Sequence, residues 1–218
     1  MGFFADFKAH RLNKKRAAQE KVELEIWEQE HRALIAAQQI FISAAQGEEP
    51  ADHQLVQKKG EILLWSAHGV FHEAGRTPPQ FQGRSAGFSI PIVAGVRFRT
   101  GTFQGGLIPG DAMQMDKDSG IVKITNQRII FAGGLHTSEW QFSKLLSASR
   151  NQAGDDFLLS VSNRKKTSGI RFSPEDGLFF SRIFSLALYS YENGMAPTLD
   201  AIKAELADIE ARKPKLIR

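Results

Sequence analysis

Gly120-Ile-Val-Lys-Ile-Thr-Asn-Gln-Arg-Ile-Ile-Phe-Ala-Gly-Gly134 decides the fold class of this chain. Ile121, Lys123 and Thr125 alternate with Val122 and Ile124. Asn126-Gln127 interrupts the run, and Arg128-Ile129-Ile130-Phe131 resumes it before two glycines. Alternation of period two fits a pleated strand, whose successive side chains point to opposite faces, and a short polar interruption fits a tight turn. The stretch reads as a β-hairpin without an evident reactive group, so it speaks for fold before chemistry.

Downstream, short strands are expected at 137–142, 145–149, 157–162 and 169–172, separated by polar or glycine-containing breaks. No long crossover helices intervene, which favours an antiparallel roll or barrel over a doubly wound sheet. Upstream, 61–67 reads as a strand that 69–73 continues after a bulge, and 75–79 reads as a break. Residues 88–93 form a further strand, placed at a sheet edge because Pro91 lacks a ladder donor, and 96–99 another. Gly101, Gly105, Gly106 and Gly110 make the connection after it flexible or sharply turned. Asp116-Lys-Asp-Ser-Gly120 reads as a hairpin turn, and Asp155-Asp156 as a polar turn before Phe157.

Residues 12–45 contain no proline or glycine and are rich in Ala, Glu, Gln, Lys and Leu, which predicts one long helix ended by Gly47 and Pro50. Val22, Ile26, Ala33, Ala37, Ile40 and Ala44 make one stripe, and Trp27, Leu34 and Phe41 recur every seven residues beside it. This broad apolar face is expected to pack on the β module or on another copy of the helix. Pro174 suits a first helical position and Glu175-Asp176 the positive helix end. The apolar run from Leu178 to Leu188 then forms a helix through Glu192 that closes an open end of the barrel. Gly194 and Pro197 are expected to end it, and Thr198 to cap a final helix. The chain thus divides into an N-terminal segment (1–50), a β-roll with its capping helix (60–193) and a C-terminal helical extension (194–218), an α+β class.

At 218 residues the chain can bury a sizeable core, and one β-rich domain with helical additions fits better than two large domains. The absence of cysteine excludes disulfides, thiolate catalysis and cysteine-ligated metals, and it fits a cytoplasmic location. No run reaches the roughly 20 apolar residues of a spanning helix. A net charge of +4 is modest, but its distribution is uneven: Lys8, Arg11, Lys14, Lys15 and Arg16 crowd the N-terminus.

His68 and His72 would share a face only on a helix, and the strand-like approach at 62–65 makes them structural. The Asp116–Gly120 stretch lacks the final acid of a calcium loop, which is Gln127. Gly101-Thr-Phe-Gln-Gly-Gly106 lacks the Lys-Ser/Thr ending of a nucleotide phosphate loop, and no serine stands in Gly-x-Ser-x-Gly. No catalytic residue, metal ligand or cofactor site is therefore assigned. Arg97-Phe98-Arg99 mixes charge and an aromatic as single-strand binders do, but Phe98 reads as core-facing, and nucleic acid is not the expected partner.

Gly120-x-x-x-Ile124-Thr125-Asn126-x-Arg128-Ile129-Ile130-Phe131, with short strands and a capping helix after it, resembles the pleckstrin-homology-like and GRAM-like superfamily over about residues 60–193. Residues 87–92, 95–99 and 162–165 are similar to stretches of bacterial or phage proteins with such a domain. The resemblance implies a bent antiparallel sheet closed by a helix. It also implies a scaffold that in different members binds phosphoinositides, recognises peptides or organises complexes.

The expected function is a noncatalytic protein-interaction or assembly module. An unidentified protein partner would meet Arg97 and Arg99 beside a sheet edge, and Trp27, Leu34 and Phe41 on the long helix, which also offers self-association. The alternative is peripheral binding to an anionic membrane, at the inner membrane surface. There Phe3, Phe4 and Phe7 would insert shallowly beside Lys14, Lys15 and Arg16. Asp6 disfavours deep insertion and breaks the myristoylation pattern.

Overall fold

The structure, a computed structural model, describes the backbone of residues 3–48, 50, 55–76, 82–93, 96–106 and 112–214, and the side chains of residues 16, 18–48, 50, 55–75 and 114–214. Nine strands follow in order: β1 Leu63–Arg76, β2 Gln82–Val93, β3 Val96–Gly106, β4 Ala112–Thr125, β5 Arg128–Gly133, β6 Thr137–Gln141, β7 Leu145–Asn151, β8 Asp156–Val161 and β9 Ser168–Arg171. Among the described residues three α-helices, α1 Phe3–Ala45, α2 Pro174–Asn193 and α3 Met195–Ala211, accompany them, giving an α+β fold.

The sheet order is β2-β3-β7-β8-β9-β1-β4-β5-β6. From β7 to β6 this is one antiparallel sheet of seven strands built from two meanders, β1-β4-β5-β6 and β7-β8-β9. Strand β1 joins them, since Val70–Glu73 pairs with β4 on one side and β9 on the other. The β2–β3 hairpin lies between β1 and β4 in sequence but beside β7 in space, where β3 runs parallel to β7 from Arg99↔Ser149 to Gly101↔Asn151.

The sheet curls. Trp140 of β6 donates from Nε1 to Ser168 Oγ of β9 at 3.2 Å, Arg164 donates to the Glu139 carbonyl, and its guanidinium sits 5.2 Å above the Trp140 ring. Strands β6 and β9 are not neighbours in the sheet, so only a bent sheet brings these groups together. Inside the bend lie Phe131, Trp140, Phe157 and Ile170, all fully buried. Helix α2 lays Phe180, Ile183, Phe184 and Ala187 over them, with the Phe180 ring 4.6 Å from both Phe157 and Phe172. Ser173 Oγ caps α2 by accepting from Asp176 N at 3.1 Å, and Pro174 opens the helix as expected.

The hairpin of strands β4 and β5 turns at Asn126-Gln127, with Val122↔Phe131 and Ile124↔Ile129 in register. The four downstream strands, the edge position of β2 and the capping helix also stand where they were expected.

Several boundaries differ. Residues Asp116–Gly120 are not a turn but the middle of β4, because β1 continues to Arg76 and supplies His72↔Asp116 and Phe71↔Asp118 as pairs. Likewise β3 extends through the glycines to Gly106, paired with β2. The polar turn before β8 ends at Asp155, since Asn151 Oδ1 gathers the amides of Gly154 and Asp156 at 2.9 and 3.2 Å; Asp156 itself is in the strand. Helix α3 starts at Met195 rather than Thr198, because Gly194 adopts a φ of +92° that turns the chain directly from α2. Helix α1 begins at Phe3, nine residues earlier than residue 12.

Candidate interaction surface

The Thr125-Asn126-Gln127-Arg128 turn is an anchor. Thr125 Oγ1 accepts from the amides of Gln127 and Arg128, while its hydroxyl reaches Glu61 Oε1 at 2.9 Å. The Asn126 side chain accepts from Ile62 N at 2.9 Å and donates to the Gly60 carbonyl, and Gln127 Nε2 donates to the Lys59 carbonyl. Arg128 closes the arrangement with two bonds to Glu61, at 2.7 and 2.9 Å, one to Glu139 and one to the Val56 carbonyl. One four-residue turn thus ties the segment between α1 and β1 to the sheet.

Burial pushes the Glu61 carboxyl upward, but hydrogen bonds from Arg128, the Lys58 amide and Thr125 outweigh it and hold the pKa below the ordinary value. In Glu139 burial also acts upward, and Arg128, Gln141 and Lys58 lower the pKa to about 2. Pairing with Glu61 raises that of Arg128. These groups all satisfy one another, so the motif that carries the family resemblance secures the fold rather than presenting free ligand-binding charges.

A second polar chain crosses the sheet. The ring of His72, fully buried, lies 2.7 Å through Nε2 from Asp156 Oδ1 and 3.0 Å through Nδ1 from Gln114 Oε1. Arg171 then bridges Asp156 and Asp116 at 3.2 and 3.1 Å. Burial raises the Asp156 pKa, and its bonds to His72 and Arg171 more than reverse this. A Cβ at position 169 would collide with the Phe157 carbonyl and the His72 ring, so glycine there admits the imidazole. The chain ties β1, β4, β8 and β9 together and leaves His72 closed to solvent. His68, by contrast, is exposed on β1.

Helix α1 is different in kind. Its 43 residues span about 65 Å. Leu34, Ala37, Phe41 and Ala44 are buried in the core shared with α2 and α3, and Ala33 is buried beside them in sequence. Among the described side chains before Ala33, none is buried. The α3 contact ends near Trp27, whose Nε1 donates to the Ile209 carbonyl at 2.7 Å and whose ring stacks on His31 and lies 4.9 Å from the Lys213 ammonium. Val22 and Ile26 continue the same helical face as Ala33 and Ala37, yet they are 53% and 52% exposed, with Gln19, Glu23 and Glu30 exposed around them.

The residues singled out in the sequence therefore separate. Leu34 and Phe41 belong to the chain's own core, and Trp27 is half-buried against α3. Arg97 and Arg99 lie on β3, one strand inside the β2 edge, with side chains outside the described residues. Phe3, Phe4, Phe7, Lys14 and Lys15 lie on the first turns of α1, their side chains likewise outside the described residues, and Arg16 is exposed. Val22 and Ile26 were legible as apolar positions, but their exposure depends on where α3 ends.

Among the described residues no group of three or more histidine, cysteine, aspartate or glutamate side chains is arranged to hold a metal. No described helix is long and apolar enough to cross a membrane. Comparison with family models, curated proteins and solved structures finds no match to this chain.

Proposed function

We propose that this chain is a noncatalytic protein-interaction or assembly module, in which a pleckstrin-homology-like roll holds a projecting helix. The fold assignment is supported by topology. With the β2–β3 hairpin taken as an insertion, a four-strand meander and a three-strand meander join through the first strand, and a helix packed on the sheet core follows the last one. The functional reading rests on the row Val22–Ile26, an apolar face that leaves the body still exposed.

Affinity capture from the native host tests it, using the full chain and a Val22→Glu/Ile26→Glu variant. Proteins recovered in fixed proportion with the native chain should be lost from the variant, whose thermal unfolding stays the same. Equal recovery by both chains would overturn the assignment of this face.

Peripheral association with an anionic membrane is a second reading. One observation favours it: α1 is unbroken from Phe3, which puts the aromatic turns about 40–45 Å and the basic turns about 25–38 Å along the helix from Ala33. Sedimentation with anionic and neutral vesicles should then show salt-sensitive binding that is lost in Lys14→Glu/Lys15→Glu. Binding indifferent to lipid charge would eliminate it.

A further inference from the structure

Gln19, Glu23, Ile26 and Glu30 form an exposed row on α1, and helical spacing continues that row to positions 15, 12 and 8, occupied by Lys15, Leu12 and Lys8, each three or four residues from the next. The charge along the helix changes sign once. Residues 8–16 contain five cations, Lys8, Arg11, Lys14, Lys15 and Arg16, and no carboxylate. Residues 17–30 contain five glutamates, at 20, 23, 25, 28 and 30, against Lys21 alone. The two blocks are centred at about equal distances either side of Gln19.

This order is self-complementary in one orientation. Two parallel copies would set cations against cations and glutamates against glutamates. Two antiparallel copies crossing at Gln19 set Lys15 opposite Glu23, Leu12 opposite Ile26 and Lys8 opposite Glu30, and two-fold symmetry makes each pair twice. We propose that the outer half of α1 docks on a second copy of this chain, antiparallel, with Gln19 at the crossing. The inference rests on the interaction-module reading and names its partner.

The surroundings permit it. An overlap from residue 8 to residue 30 covers about 33 Å, which keeps the two β bodies at opposite ends of the helix pair. The seam is continuous with the face that Ala33 and Ala37 bury within each chain. With Leu12 and Ile26 as its apolar contacts, it is held largely by charge, so it should weaken with salt.

The chain has no cysteine, which makes the orientation directly measurable. Leu12→Cys and Ile26→Cys full-length variants, mixed under oxidising conditions, should form a disulfide-linked dimer that neither forms alone. Light scattering of the native chain at low salt should give twice 24.2 kDa, falling towards the monomer at high salt.

Reversing the basic block (Lys14→Glu/Lys15→Glu/Arg16→Glu) or the acidic block (Glu23→Lys/Glu25→Lys/Glu28→Lys) should abolish dimerisation. Mixing the two variants should restore it. Cross-linking of Leu12→Cys with itself would overturn the antiparallel arrangement. A monomer at every concentration and salt would overturn self-docking, while partner capture that depends on Val22 and Ile26 would still uphold the broader interaction reading.

Discussion

The two halves of α1 carry one helical face through two environments. From Ala33 to Ala44 the face meets α2, α3 and the sheet, and Leu34, Ala37 and Phe41 are fully buried. From Gln19 to Glu30 the same face, with Val22 and Ile26 on it, is open. Apolar periodicity runs through both halves, so it identifies the face but not its cover. The cover is decided by α3, whose contacts with α1 reach Trp27 through Ile209 and Lys213.

The sharpest test of that contrast is Phe41→Ala, which should cost about 3–5 kcal/mol in urea unfolding because it opens a cavity in the shared core. A cost below about 1 kcal/mol would mean the inner half is not core. Next comes Arg128→Ala, which strands the fully buried Glu61 carboxylate and should cost about 3 kcal/mol. That loss would show that the segment entering β1 from α1 is fixed by the turn anchor.

A smaller effect is expected from acid. Glu61 and Glu139 have pKa values lowered in the folded chain, so their contribution is present above the unfolded value. For Glu139 it is lost as pH falls from about 4.5 towards about 2. Thermal unfolding across that range should therefore be steeper in pH for the native chain than for Glu139→Gln, and equal slopes would break the assignment. The smallest effect belongs to the outer half: Val22→Ala and Ile26→Ala should each change monomer stability by less than about 0.5 kcal/mol in dilute solution. A loss as large as that of Phe41→Ala would erase the difference between the halves.

Local chemistry was legible where it acts locally. The hairpin from Gly120 to Gly134 shows in its alternation and its Asn126-Gln127 turn, and the start of α2 in Pro174 and Glu175-Asp176. What misled was composition whose partner lies far along the chain. Asp116-Lys-Asp-Ser-Gly120 has the residues of a turn, yet β1 pairs with it, and the Asp118 carboxylate instead accepts the amides of Leu135 and His136 at 2.6 and 2.8 Å in the turn after β5.

Asp156 resembles a loop residue until His72 arrives from β1. Glu61 sits in an apolar strand start, and only Arg128 explains why a carboxylate is buried there. For the candidate surface, the sequence shows the charge blocks and the apolar stripe; the exposure that separates Ile26 from Ala33 comes from packing.

Hydrogen exchange along α1 in the full-length chain measures the division directly. In dilute, high-salt solution, amides at 33–44 should exchange only through global unfolding, while those at 16–30 exchange much faster; concentrating the protein at low salt should then slow the outer set alone. Equal protection of both sets in the dilute sample would contradict an open outer half, because it would mean that the chain's own body already covers it.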